Sequence, residues 1–340
     1  MMRVLVTGHD GYIGTVLVSH LKKKGYEVSG LDSYFYEDCW LGKHLDSCPA
    51  LRKDIRDVTL TDLEGIDAVV HLAALSNDPL GQLSTELTLD HNYRATENLA
   101  KLSKQAGVQR FLYASSCSLY GKSDQLSVDE NTSMAPLTAY AQSKVMSEKA
   151  LLALANEHFS PIILRCSTVF GYSPKLRVDL VVNNLTGWGF TLGKIKILSD
   201  GSPWRPLIHV EDLARAYEFF LAIELGKHKE KIFNIGFNSH NYQVRQIAES
   251  VAHHIKGSIL EFAVEPDRDS RSYRVNFDRF ESVSKLKPQW DLDKGIQHLL
   301  EVYREHGFKE RDFRGRKFTR LNQIRHLSET QQLDKELRWR

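Results

Sequence analysis

Short apolar runs alternate with stretches of helical period through the first half of the chain. Runs at 3–8, 27–32, 51–55, 68–74, 110–116 and 161–166 predict strands, and stretches at 12–24, 90–106 and 138–158 predict the helices between them. Such alternation predicts right-handed crossovers and a parallel sheet covered on both faces. The run Ala68-Val69-Val70-His71-Leu72-Ala73-Ala74 is nearly all apolar, as a central parallel strand should be. After residue 170 the pattern loosens, with punctuation at Gly171-Tyr172-Ser173-Pro174 and at Gly201-Ser202-Pro203-Trp204-Arg205-Pro206. Between 208 and 236 a helix and a strand, Ile232-Phe233-Asn234-Ile235, read as a return to the sheet, and 240–305 reads as further helices around a smaller module. No internal repeat or low-complexity segment interrupts the chain.

The first strand ends in Thr7-Gly8-His9-Asp10-Gly11-Tyr12-Ile13-Gly14, and the apolar stretch Val16-Leu17-Val18 follows. Gly8 suits the tight turn, Gly11 allows close approach of the main chain to a pyrophosphate, and Gly14 lets a helix pack on the strand. The spacing is G-x-x-G-x-x-G, which a plain strand-turn-helix can also show. Asp32, at the end of the second apolar run, stands where an acidic residue would hold the ribose 2′-OH of NAD. It would repel the 2′-phosphate of NADP, and Ser33-Tyr34-Phe35-Tyr36 offers no basic residue to neutralise one. The expected architecture is therefore α/β: a Rossmann-type doubly wound parallel sheet with a smaller C-terminal substrate-binding domain. Residues 1–170, with a return segment at 208–236, form the NAD-binding part. Residues 171–207 and 237–306 form the substrate-binding part, and 307–340 a basic tail.

Composition adds limits. The chain has 340 residues, 42% hydrophobic and 26% charged, with a formal net charge of +2. That balance gives no field for nucleic acid or a membrane surface, and no stretch approaches the ~20 apolar residues of a membrane span. Met1-Met2-Arg3 runs straight into the first strand with no signal peptide, so the cytoplasm is the expected compartment. Cys39, Cys48, Cys117 and Cys166 form no C-x-x-C pair and read as reduced thiols, with no metal site expected. In the tail, Leu321, Ile324 and Leu327 mark one face of a short helix among Arg311, Arg314, Arg316, Lys317, Arg320 and Arg325. A solvated helix packed on the body is the simpler reading, and an oligomer contact the other.

Two further patterns carry chemistry. Tyr140-Ala141-Gln142-Ser143-Lys144 lies on a predicted helix, so Tyr140 and Lys144 share a face one turn apart. A nearby ammonium stabilises a phenolate, which can then take a proton from a sugar hydroxyl. A surface Tyr beside a solvated Lys would look the same in isolation. The stretch from Tyr113 to Gly121, with Ser115, Ser116 and Ser118, falls at a strand carboxyl end, where open α/β sheets bind ligands. These serines either meet the substrate oxygen or only cap the strand.

With those residues in view, residues 3–305 resemble the extended short-chain dehydrogenase/reductase family of NAD-dependent nucleotide-sugar epimerases and dehydratases. The carriers are the glycine turn, Asp32, Asp54-Ile55, His71-Leu72-Ala73-Ala74, Asn92, the Ser115–Gly121 stretch and Tyr140-x-x-x-Lys144. Leu164-Arg165, Phe170-Gly171, Asn183-Asn184-Leu185 and Trp204 to Asp212 extend it. The resemblance implies that Gly8, Gly11, Tyr12, Ile13 and Gly14 cradle the pyrophosphate. Asp32 would bind the adenosine ribose, with Asp54 and Ile55 flanking the adenine. Leu72, Ala73, Ala74 and Asn92 would line the cofactor path. Ser116, Tyr140 and Lys144 would be catalytic, Lys144 also holding the nicotinamide ribose. Ser76, Asn184, Leu185, Arg205 and Arg271 would meet a nucleotide-diphosphate sugar.

Two departures narrow the implied reaction. The family's 4,6-dehydratases carry Asp-Glu after the catalytic Ser/Thr, where this chain has Cys117 and Ser118. The 3,5-epimerases place a catalytic Cys where Ser118 stands, so Cys117 reads as a small buried residue. The segment Ser173-Pro174-Lys175-Leu176-Arg177-Val178-Asp179-Leu180 is unlike the galactose epimerases and resembles a subgroup that includes nucleotide-heptose 4-dehydrogenases. The expected function is a C4 epimerase acting through a 4-keto sugar, as a homodimer. The alternatives are a 4-dehydrogenase or 4-ketoreductase, and a non-catalytic NAD-binding structural or regulatory protein.

Overall fold

The computed structural model describes residues 1–42, 48–76, 84–122, 127–224, 231–262 and 272–340. Seven parallel strands form the central sheet. They are β1 (Arg3–Thr7), β2 (Glu27–Asp32), β3 (Ala50–Arg52), β4 (Ala68–His71), β5 (Arg110–Ser116), β6 (Ser160–Cys166) and a late strand at Ile232–Ile235. The sheet order from one edge is the late strand, β6, β5, β4, β1, β2, β3. Strand order reverses between β1 and β4, whose carboxyl ends therefore open a crevice. All four residues of β4 are buried, as its unbroken apolar run requires. The strand expected at 51–55 ends at Arg52, because Asp54 accepts from the Arg56 N–H at 2.9 Å and starts a 3-10 turn at Ile55–Asp57.

Helices cover both faces. The first, α1 (Tyr12–Lys23), turns Leu17, Val18 and Leu21 into the core. Next, α2 (Thr85–Leu89) runs through a π turn at Asp90–Arg94 into α3 (Ala95–Gln105). Then α4 (Ala139–Leu154) starts where Thr138 Oγ1 accepts from the Ala141 N–H at 3.1 Å, which fixes Tyr140 in its first turn.

Beyond β6 the chain adds β7 (Thr168–Phe170), α5 (Val181–Leu192), β8 (Lys194–Ile197), β9 (Trp204–His209) and α6 (Val210–Ala222) before returning as β10 (Ile232–Ile235). There follow β11 (Asn241–Gln243), α7 (Val244–His254), β12 (Ile259–Phe262), α8 (Asp278–Ser284), α9 (Leu292–Glu305), α10 (Glu310–Phe313) and α11 (Arg320–Glu329). A three-stranded sheet β11-β9-β7 and a pair β12-β8 hold this second half. Its apolar cluster includes Phe170, Leu207, Ile247, Ile296 and Leu299, and draws in Phe308, Phe313 and Phe318 from the tail. Among the described residues, no helix is long and apolar enough to cross a membrane.

One buried network fixes α4 against the sheet. Glu148 on α4 and Arg165 on β6 are each 2% exposed and pair at 2.7 Å through Nη2 and Oε2. Ser115 Oγ donates to Glu148 Oε1 at 2.5 Å, and Arg165 Nη1 donates to the Tyr120 hydroxyl at 3.0 Å. That hydroxyl donates to Asn234 Oδ1 on β10 at 2.7 Å.

Removing one partner of such a pair leaves a buried charge uncompensated. Glu148→Ala is expected to cost roughly 3–5 kcal/mol of stability in urea unfolding. Adding Arg165→Met to that variant should restore part of the loss. A double variant no more stable than the single one would show that the pair is not the origin of the effect.

Candidate active site

The β1–α1 turn is set by the absence of side chains. Gly8 sits at φ +74°, and a Cβ there would lie 2.8 Å from the Ala73 nitrogen. A Cβ on Gly14 would lie 2.2 Å from the Gly8 carbonyl oxygen. Helix α1 follows Gly11 with no side-chain cap and no acidic residue in its first turn. Its first N–H groups have no intrahelical acceptor and present the positive end of the helix to the crevice. The Tyr12 side chain turns away, donating from its hydroxyl to the Gly171 carbonyl at 2.7 Å, and Asn183 Nδ2 donates to that hydroxyl at 3.3 Å.

Around this turn lies an open cleft. Gly8, Gly11, Tyr12, Ile13 and Gly14 form one wall, Leu72, Ala73, Ala74 and Ser76 another, and Asp32 and Ile55 the end. Asp32 is held by the Asp10 N–H on Oδ2 at 3.1 Å and the Tyr34 N–H on Oδ1 at 2.8 Å. Asp54 is turned to Arg56, whose Nη2 lies 2.7 Å from its Oδ2, and Ile55 takes the cleft position. Asn92 brackets Leu75: its Oδ1 accepts from the Leu75 N–H at 2.8 Å, and its Nδ2 donates to the Leu75 carbonyl at 3.1 Å and to Ser143 Oγ at 3.2 Å. Through Asn92 the π turn locks the cleft wall to α4. Ser76, expected to meet the substrate, lines this cleft and accepts from Arg177 Nη1 at 3.3 Å.

Lys144 and Tyr140 lie near the carboxyl end of β5, which carries Ser116. Lys144 is 3% exposed and donates to the Ala114 carbonyl at 2.7 Å. Its ammonium lies 4.7 Å from the Tyr113 ring centroid and 5.6 Å from that of Tyr140. Burial pulls it down from 10.5 to about 8, so it carries its charge at neutral pH. Ser116, two residues beyond Ala114, accepts from the Ser118 N–H at 3.1 Å and opens a 3-10 turn. Cys117 is buried against the Arg165 carbonyl, 3.2 Å from its Sγ, and burial pushes its thiol well up.

In the second half, the expected substrate residues make contacts within the chain. Asn184 Nδ2 donates to the Val178 carbonyl at 2.8 Å, and the Leu185 side chain sits in the apolar cluster. Arg205, on β9, donates from Nη1 to the Trp204 carbonyl at 2.9 Å. Arg271 lies outside the described residues. Sequence reasoning passed over Lys53, Tyr36, Arg177 and Arg320, which line the cleft. Tyr36 and Arg320 had been named for other reasons, and the Ser173–Leu180 segment for its departure from relatives. There Lys175 Nζ is buried and donates to Asp10 Oδ2 at 2.7 Å and to the Tyr36 carbonyl at 2.7 Å. Burial outweighs this attraction on both sides: the Asp10 carboxyl is pushed up to about 6, and the Lys175 ammonium is pulled down.

The residues present fit a dinucleotide. Uncapped helix donors suit phosphates, Asp32 suits a ribose diol, and an apolar wall suits the bases. Comparison with known proteins agrees with this. The model of the NAD dependent epimerase/dehydratase family matches residues 4–236. The UDP-glucose 4-epimerase of Lactobacillus helveticus is 29% identical over 329 residues, covering 90% of this chain and 98% of that protein. The dTDP-glucose 4,6-dehydratase of Streptomyces niveus is 26% identical, covering 89% of this chain and 93% of that protein. Among solved structures, MoeE5 in complex with UDP-glucose and NAD superimposes with a TM-score of 0.76 at 28% identity, over 89% of this chain and 99% of that one.

The depressed lysine has a consequence for stability. Lys144 titrates at about 8 in the fold against an ordinary 10.5, so between these pH values the unfolded chain binds more protons. Stability therefore rises with pH across that window, by up to about 3 kcal/mol from this group. Urea unfolding of the ligand-free chain at pH 7.5 and pH 10 should show this rise in the wild type and a smaller one in Lys144→Met. Equal pH dependence in the two would place the titration elsewhere.

Proposed function

The chain belongs to the NAD dependent epimerase/dehydratase family, and from that premise we propose that it inverts C4 of a nucleoside diphosphate sugar through a 4-keto sugar. The observation that carries this reading is the Tyr140–Lys144 pair at the carboxyl end of β5, beside Ser116 and with no acid pair at 117–118. NAD supplies the two-electron oxidation and re-reduction of the sugar carbon. Tyr140 takes the C4 hydroxyl proton and later returns it. The Lys144 ammonium favours the phenolate, and the Ser116 hydroxyl hydrogen-bonds the same sugar oxygen. Asp32 holds the adenosine ribose, and the start of α1 meets the phosphates. Dehydration would need an acid and a base where Cys117 and Ser118 stand, and Cys117 is buried with a raised thiol.

Residues 1–170 with 208–236 serve the dinucleotide in this reading, and 171–207 with 237–306 serve the sugar. Ser76, Asn184, Leu185, Arg205 and Arg271 are its substrate contacts in this reading, and a cytoplasmic homodimer its working form. A second reading, a 4-dehydrogenase or 4-ketoreductase, is favoured by the Ser173–Leu180 segment, which departs from the galactose-type pattern.

Two experiments test the proposal. Tyr140→Phe should lower turnover by about 10²–10⁴-fold while fold and NAD binding persist. Retention of more than about a tenth of the rate, against that expectation, would place the base elsewhere. The enzyme should also be mixed with UDP-, GDP- and dTDP-sugars carrying deuterium at C4, without added cofactor. The expected product is the C4 epimer with its label retained. Stoichiometric reduced cofactor with a 4-keto product, or turnover only with an added 2-oxo acid, would replace the epimerase with the second reading.

A further inference from the structure

The carboxy-terminal segment, beyond the residues matched by the family model, builds part of the cleft. Ile324, Leu327, Leu333 and Leu337 bury against Phe35 and Leu75. Gln323 Nε2 donates to the Phe35 carbonyl at 3.1 Å, and Trp339 Nε1 donates to the Ser33 carbonyl at 2.5 Å. Arg316 pairs with Asp38 at 2.7 Å, and Arg338 with Asp57 at 2.5 Å. The helix expected to be solvated on its basic side thus buries a basic residue, Arg320.

Arg320 is 2% exposed. Its guanidinium carbon lies 4.1 Å from the Tyr36 ring centroid, and Nη2 donates to the Lys175 carbonyl at 3.0 Å. Nη1 is sealed from solvent and finds no hydrogen-bond partner among the described residues. Arg320 and Arg177 both line the cleft that holds Gly11 and Tyr12. Asp179 pairs with Arg177, its Oδ1 lying 2.9 Å from Nε, and its charge also acts on Arg320. Asp10, the other acid nearby, is held by Lys175. Burial lowers the Arg320 guanidinium, and the charge of Arg177 lowers it further. A buried charge with an unmade hydrogen bond is costly unless an anion completes it. The positive end of α1 faces the same space, so three sources of positive potential line the cleft together with Asp32 and beside the Arg177–Asp179 pair.

We propose that Arg320, carried into the cleft by the carboxy-terminal segment, binds the diphosphate of the dinucleotide together with Arg177, opposite the start of α1. The proposal rests on the reading of this cleft as the NAD site. Asp32 at the far end excludes a phosphate there, which leaves the diphosphate as the anion within reach of both guanidiniums. A guanidinium fork suits two phosphate oxygens.

The test is calorimetric titration of the full chain with NAD, ADP-ribose, adenosine and UDP, in wild type, Arg320→Met and Arg320→Lys. Losing one or two charge-assisted hydrogen bonds should weaken NAD and ADP-ribose by about 10- to 100-fold in Arg320→Met. Adenosine and UDP should bind it as they bind the wild type, and Arg320→Lys should fall between. The ligand-free methionine variant should melt no lower than wild type, because the unpaired charge is gone. Wild-type binding of NAD with unchanged ADP-ribose affinity in Arg320→Met would overturn the proposal. So would equal losses for adenosine and ADP-ribose, which would make Arg320 a support for Tyr36 and Lys175. A loss confined to UDP would assign the guanidinium to the sugar nucleotide instead. Should Arg320→Met not fold, the same contrast between ADP-ribose and adenosine is read in Arg320→Lys. A wild-type chain that binds no dinucleotide would instead remove the reading of the cleft itself.

Discussion

Helix α1 approaches the end of β1 more closely than any side chain permits. With a Cβ on Gly14 only 2.2 Å from the Gly8 oxygen, the helix could not start where it does. That proximity has two effects. It aims the first N–H groups of α1 at the crevice between β1 and β4, and it leaves no room for a side-chain cap to satisfy them. A helix that cannot cap itself needs either water or an anion at its start. The surrounding residues are arranged around that need. Tyr12 points its ring away and ties α1 to Gly171 and Asn183, so the half of the chain after β6 is hinged on the same turn.

Three buried cations then divide the interior between binding and chemistry. Arg165 is fully matched by Glu148 and the Tyr120 hydroxyl, and holds α4 to β6 and β10. Its work is placement: it fixes the helix that carries Tyr140. Lys144, on the same helix one turn before Glu148, rests on a main-chain carbonyl and aromatic faces, and desolvation prevails over the attraction of Cys166 and Glu148, so its charge is held weakly. Lys175 lies between these cases, with Asp10 and two carbonyls as partners and a net shift still set by burial. The same physics, desolvation set against the number of acceptors, makes one cation a strut and another a titratable group.

Much of this was legible in the sequence because it depends on local pattern. The parallel sheet follows from apolar runs: the strand at 27–32 has the bounds the pattern puts on it, and the one at 3–8 ends one residue early at Thr7. The glycine turn, Asp32 and the Tyr140–Lys144 spacing are local too. What pattern could not show is where a long side chain ends. Asp54 and Ile55 are neighbours, yet Arg56 draws the acid out of the cleft and leaves the isoleucine in it. Asn183 and Asn184 are equally polar, but the helix phase of α5 buries Asn183 against Tyr12 and turns Asn184 to Val178. The tail was harder still. Its hydrophobic face was readable, with Ile324 and Leu327 buried as the period requires. That Arg320 is buried beside them depends on Tyr36 and Lys175, which reach it from about 280 and 145 residues away in the chain.

The tail also bears on the choice between the two reactions. A dehydrogenase that passes its reduced dinucleotide to solvent must release it at each turnover, whereas an epimerase regains the oxidised form on the enzyme and has no use for release. Residues 33–38, which carry the cleft past Asp32, are clamped by Gln323, Arg316 and Trp339. Lifting that clamp exposes Ile324, Leu327, Leu333 and Leu337. Fully buried side chains of this kind hold roughly 1.5–3 kcal/mol each against water, so opening the segment costs several kcal/mol before any contact to the dinucleotide is broken. Each 1.4 kcal/mol of such a barrier slows release about tenfold. A segment packed in this way would suit a cofactor that stays through many cycles, the behaviour the proposed epimerase would need.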